Sequence, residues 1–74
     1  SPEVRALILE TLYAIDVTLR TLPAKTREIF LSSEFDGMAY ADIARAQRVS
    51  LATVKRHMQK ALTACLIAYQ AGPA

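Results

Sequence analysis

At 74 residues the chain amounts to one small domain, and its opening Ser1-Pro2, without an initiator Met, predicts a piece of a longer protein. Thirteen Ala favour helix, whereas only two Gly and three Pro argue against a β-sandwich or a disordered tail. No apolar run approaches the ~20 residues of a membrane span, no signal-peptide pattern leads the chain, and one cysteine makes neither an internal disulfide nor a four-ligand zinc site. A reducing, cytoplasmic setting is expected. The net charge of +2 hides an asymmetry: residues 1–44 carry four basic and seven acidic side chains, while residues 45–74 carry five basic and none acidic. A polyanion partner for the C-terminal part would account for that split.

The elements follow from periodicity and punctuation. Val4, Leu7/Ile8, Leu12, Ile15, Leu19 and Leu22 recur at helical intervals, so a first amphipathic helix is expected from Pro2 to about Thr21. Pro23 stops it, because the residue before a proline avoids the helical region. A second helix is expected from Ala24 to about Phe35, burying Ile29, Phe30, Leu31 and Phe35, with Gly37 closing it in the left-handed conformation. A short third helix, Tyr40 to Gln47, turns Ile43 and Ala44 inward. After a tight turn at Arg48-Val49, Ser50 caps a fourth helix with Val54, Met58, Ala61/Leu62, Cys65 and Leu66 on one face; Gly72-Pro73 ends it. The expected fold is all-α: a leading helix over 1–22, a second over 23–37, and a helix-turn-helix over 38–71.

A short helix, a three- or four-residue turn and a capped second helix form the arrangement whose second helix enters the major groove of DNA. Here Ala44 permits close helix approach, Val49 plugs the turn and Val54 anchors the second helix from below. Leu51, Ala52, Thr53, Lys55, Arg56, Gln59 and Lys60 are then directed outward. Ser50 brings free backbone N–H groups towards phosphate. With Arg45 and Arg48 added, five cations are available to phosphates, which bounds the log–log salt slope of DNA binding at about −4 to −5.

Three segments carry a family resemblance: Leu22-Pro23-Ala24-Lys25-Thr26-Arg27-Glu28-Ile29-Phe30-Leu31, then Asp36-Gly37-Met38-Ala39-Tyr40-Ala41-Asp42-Ile43-Ala44, then Val49-Ser50 with Thr53-Val54-Lys55-Arg56. In this order and spacing they resemble region four of extracytoplasmic-function sigma factors, over about Leu22 to Leu66. With Ala61-Leu62 and Ala64-Cys65-Leu66, the last segment is most similar to the iron-uptake, ferric-citrate-type subgroup. The resemblance implies a non-enzymatic role in transcription initiation: recognition of the upstream promoter element, with region two absent from this piece. It implies three partners, namely promoter DNA, the β-subunit flap of RNA polymerase, and a membrane-bound anti-sigma regulator. It also implies Arg56 as base reader, with Lys55 and Lys60 on phosphates. Ala39 departs from the Ser or Thr that often caps the third helix, and Leu51 and Ala52 stand where other sigma factors place charged base readers.

Catalysis finds no support. Glu28, Glu34, Asp36 and Asp42 form no acid/base pair, the serines lack a partnered histidine, and no glycine-rich phosphate loop exists. His57 and Tyr40 are expected to pack and Cys65 to sit in the core; no cofactor, metal or small-molecule substrate is expected. Two rival readings are a response-regulator-type DNA-binding effector domain, suggested by Thr53-Val54-Lys55-Arg56-His57, and a helical protein-interaction module that never meets DNA. So short a domain cannot bury all its aliphatic residues. Leu9, Tyr13, Leu66, Ile67 and Tyr69 are therefore expected to stay exposed as a protein interface, shared by flap and regulator or covered by an upstream segment.

Overall fold

The computed structural model describes residues 1–71, so the expected stop at Gly72-Pro73 lies outside the described residues. The described chain is all-α, with four helices: α1 (Pro2–Thr21), α2 (Ala24–Glu34), α3 (Tyr40–Gln47) and α4 (Leu51–Gln70). Each boundary has a local cause. Ser1 caps α1, its Oγ accepting from the Val4 N–H at 3.3 Å, and Pro2 sits in the first turn. Leu22, before Pro23, turns extended at φ −74° and ψ 149°. Past α2, Gly37 adopts φ 66° and lets the Met38 N–H return to the Ser32 carbonyl at 3.0 Å. Ala39 offers α3 no side-chain cap, so its backbone carbonyl alone receives the Asp42 and Ile43 N–H groups. Ser50 caps α4, its Oγ accepting from the Thr53 N–H at 3.1 Å.

The core lies between α4 and the other three helices, all of which pack on it. Val54, Met58 and Ala61 from α4 meet Leu22, Ile29, Phe30, Ile43 and Ala44, with Ile29 and Val54 wholly buried. Truncating such a residue to Ala costs about 2–5 kcal/mol. The two ion pairs among the described residues, Asp16–Arg20 and Asp42–Arg45, are largely exposed neighbours on single helices and contribute about 0.5 kcal/mol each at most. Apolar packing on α4 therefore dominates.

Two expectations about burial fail, each for a geometric reason. Phe35 is 75% exposed: it lies six residues after Ile29, about 240° around the helix and off the inward face. Along α1, Val4, Leu7, Ile8 and Leu12 are exposed and no residue is buried; in α4, Leu62 and Leu66 are also exposed. α1 and α4 are 20 residues each, about 30 Å long, while α2 and α3 span about 16 and 12 Å. The two long helices outrun the short ones, so their far ends have only each other. The domain is accordingly drawn out to 44 × 21 × 15 Å.

Among the described residues one polar side chain is buried. Thr26, 1% exposed, places its Oγ1 2.8 Å from Nδ1 of half-buried His57, tying the first turn of α2 to the middle of α4. This agrees with the expected packing of His57 and gives it a named partner. Gln47 makes a second tie, accepting from Lys25 Nζ at 2.7 Å and donating to Glu28 Oε1 at 2.9 Å. α2 thus holds both helices of the turn motif. A double-mutant cycle on Thr26→Val and His57→Phe should give a coupling of about 1 kcal/mol by denaturant unfolding; additive effects would show that the pair does not stabilise the fold.

Arg48 is the C-cap of α3 and the one non-glycine residue with positive φ among those described, at φ 57°. L-residues carry about 1 kcal/mol or more of strain there. Arg48→Gly should therefore raise stability by about 1 kcal/mol. Gly37→Ala should lower it by about the same, through φ alone, because no atom lies within 4 Å of an added Cβ. Urea midpoints check both signs.

Candidate nucleic-acid interface

The turn between α3 and α4 is built by small and apolar residues. Ala44 is buried at the helix crossing, the half-buried Val49 packs on the core with its N–H on the Ala44 carbonyl at 3.0 Å, and Val54 lies beneath α4. This fixes the roll of α4, and with it the residues turned to solvent. Leu51, Ala52, Lys55, Arg56, Gln59 and Lys60 are exposed, and Thr53 is half-buried. Arg56, Gln59 and Lys60 line one shallow depression together with Thr63, which the sequence reading did not single out although it follows Gln59 and Lys60 at helical spacing. Lys55 stands about 100° away on the same helix.

Hydrogen bonds order the start of this face. Ser50 Oγ donates to Thr53 Oγ1 at 3.0 Å, and Arg56 Nη2 donates to the same oxygen at 3.1 Å. The Arg56 guanidinium is thereby held over the first turn of α4, which lowers the ordering entropy of any contact it makes. Ser50 is committed to capping, its hydroxyl bonded to the Thr53 N–H and side chain.

The cations are not equivalent. Arg48, Lys55, Arg56 and Lys60 are in no ion pair among the described residues, whereas Arg45 is bonded to Asp42 one turn earlier on α3. The structure thus separates Arg45 from the other four. Five phosphate contacts were expected; four cations are free to make them without first breaking a bond to a carboxylate.

The five candidate interface residues, Leu9, Tyr13, Leu66, Ile67 and Tyr69, are all exposed but do not share one surface. Leu66 and Tyr69 line a groove of about 860 Å³ between the far ends of α4 and α1, opposite Leu7, Thr11 and Ile15. Leu9 and Tyr13 do not line it. Ile67 stands about 100° around α4 from Leu66, towards the side of Lys60 and Thr63. Cys65, half-buried in the same groove, has its thiol pushed above the ordinary 9.0 by burial and then by the charge of Glu34, so it stays protonated near neutral pH. Among the described residues no three His, Cys, Asp or Glu side chains gather as a metal site, and no helix is long and apolar enough to cross a membrane.

Comparison with known proteins places this geometry. The chain is 46% identical over 67 residues to the ferric citrate uptake sigma factor FecI of Escherichia coli (strain K12); the alignment covers 90% of this chain and 39% of that protein. The chain thus spans about two-fifths of the curated relative's length. No solved structure matches it significantly. Residues 12–65, from mid-α1 through the turn motif to Cys65, match the family described as Sigma-70, region 4, and the chain belongs to that family.

Proposed function

We propose that this domain reads the upstream promoter element as region four of an alternative sigma factor, directing RNA polymerase to iron-uptake genes. The observation that carries the reading is the outward face of α4: Arg56, Gln59 and Lys60 on one side of a helix with no acidic residue, behind a Ser50 cap and a well-packed turn. Such a surface meets phosphates with cations and base edges with Arg and Gln. Membership of the sigma family points to a non-enzymatic regulator of transcription. The iron-uptake assignment is supported by the likeness to a ferric citrate uptake sigma factor. The partners in this reading are promoter DNA, the β flap of polymerase and a membrane-bound anti-sigma regulator, all met in the cytoplasm, with no cofactor or small-molecule substrate.

In this assignment Arg56 reads a base, Lys55, Lys60 and Arg48 meet phosphates, and Leu51, Ala52 and Thr53 approach the groove through small or apolar contacts. Asp42 holds Arg45 back and sets a negative charge beside the cations.

Fluorescence anisotropy on promoter duplexes tests the reading. With four free cations the log–log salt slope should be about −3.5, steepening by up to about 0.9 in Asp42→Asn as Arg45 is released. Arg56→Ala should reduce discrimination between cognate and scrambled duplexes by about 1–3 kcal/mol, whereas Lys60→Ala should weaken both alike. A slope near zero would refute DNA binding, and equal losses on both duplexes in Arg56→Ala would remove Arg56 as the reader.

A further inference from the structure

The outward face of α4 begins on a methyl group. Ala52, Arg56, Gln59 and Thr63 follow one another at intervals of four, three and four residues. That spacing sets them within about 60° of one another, opposite the buried Val54, Met58 and Ala61. All four are exposed. From Arg56 onward the stripe is polar; at Ala52, its first member, it is not.

No neighbouring side chain makes up for that. Ser50 Oγ accepts from the Thr53 N–H at 3.1 Å and donates to Thr53 Oγ1 at 3.0 Å. Thr53 Oγ1 also accepts from Arg56 Nη2 at 3.1 Å, so both lone pairs of that oxygen are occupied. Thr53 itself is half-buried and stands about 100° around the helix from Ala52. Leu51, on the other flank, is apolar and 44% exposed. The first turn of α4 therefore meets a base edge with hydrocarbon, its two hydroxyls being turned to one another and to Arg56.

The major groove offers hydrocarbon one thing to read. Of the groups that the four base pairs present there, the C5-methyl of thymine is apolar, whereas the others are hydrogen-bond donors and acceptors that lose a partner when a methyl group covers them. Size acts in the same direction. Ala52 has nothing beyond Cβ to hold α4 off the bases, so a base methyl can meet it directly while the longer Arg56 side chain reaches past.

We propose that Ala52 is a specificity-determining residue that reads the C5-methyl group of one thymine beside the base contacted by Arg56. The inference rests on the promoter reading above and adds to it a base and a position. Ala52 and Arg56 are about 6 Å apart along the helix axis, and successive base pairs are about 3.4 Å apart. The thymine therefore falls within about two base pairs of the one that Arg56 discriminates.

The test removes the methyl from the DNA and leaves the protein untouched. Duplexes enriched from a random pool on the 74-residue chain are remade with each thymine of either strand replaced in turn by uracil, and binding is followed by anisotropy. At one position affinity should fall about fourfold, the effect of uncovering one methyl group, and the other replacements should change nothing. That position should lie within about two base pairs of the one at which Arg56→Ala loses discrimination. Ala52→Gly removes the facing methyl and should abolish the uracil penalty while the salt slope stays as in the unaltered chain. Leu51→Ala should keep the penalty. Tolerance of uracil at every position, with the salt slope and the Arg56 discrimination intact, overturns this inference and leaves the promoter reading standing. A penalty that Ala52→Gly retains, that Leu51→Ala abolishes, or that lies further from the Arg56 base overturns Ala52 as the reader. Failure of the chain to enrich any duplex overturns the promoter reading and this inference with it.

Discussion

The stripe of Val54, Met58 and Ala61 along α4 is the surface on which α1, α2 and α3 all pack. Because these residues are buried, the rotation of α4 about its own axis is fixed, and the residues on its far side are fixed in turn. Arg56, Gln59 and Lys60 face solvent for the same reason that Val54 and Met58 do not. The helix proposed to touch DNA is thus also the spine of the core, and its outward face needs no separate scaffold. The Thr26–His57 bond and the Gln47 ties to Lys25 and Glu28 add polar register to an arrangement that apolar burial already determines.

The helix ends were legible because the chain punctuates them with chemistry that acts locally: Ser1 and Ser50 as caps, Pro23 as a stop, Gly37 at positive φ. The face of α4 was legible from helical spacing. What escaped the reading depends on relations between elements. Thr26 and His57 are 31 residues apart, and neither carries a local mark of the other. Arg48 takes the left-handed conformation without being Gly or Asn, so the turn could be placed but its strain could not. Splitting the charge count at Ala44 parted Asp42 from Arg45, although their i,i+3 spacing marks them as partners. The stripe on α1 was read as core because periodicity reports which face is apolar, not whether anything lies against it.

That last point gives the domain two distinct ends. Near the turn motif, four helices share a core and the surface is basic. At the other end, α1 and α4 continue alone; the α4 side of that surface carries no charge from Ala61 to Gln70, while Glu3, Arg5 and Glu10 stand among the exposed apolar residues of α1. An element that is long at both helices and covered at neither is costly in water unless something packs on it. The mismatch in helix length, rather than any single residue, creates this surface. Its separation from Arg56 and Lys60 lets it be altered by substitution without touching the proposed DNA face.

The central claim is that burial of one face of α4 directs the opposite face to DNA. An amide NMR titration of the labelled chain with a promoter duplex tests it most directly. The account predicts that shifts concentrate between Ser50 and Thr63, with the amides of Val54 and Met58 following their exposed neighbours. Val4 to Leu12 of α1 should stay unchanged at constant protein concentration. Shifts centred on α1, or spread evenly over the chain while α4 stays silent, would contradict it.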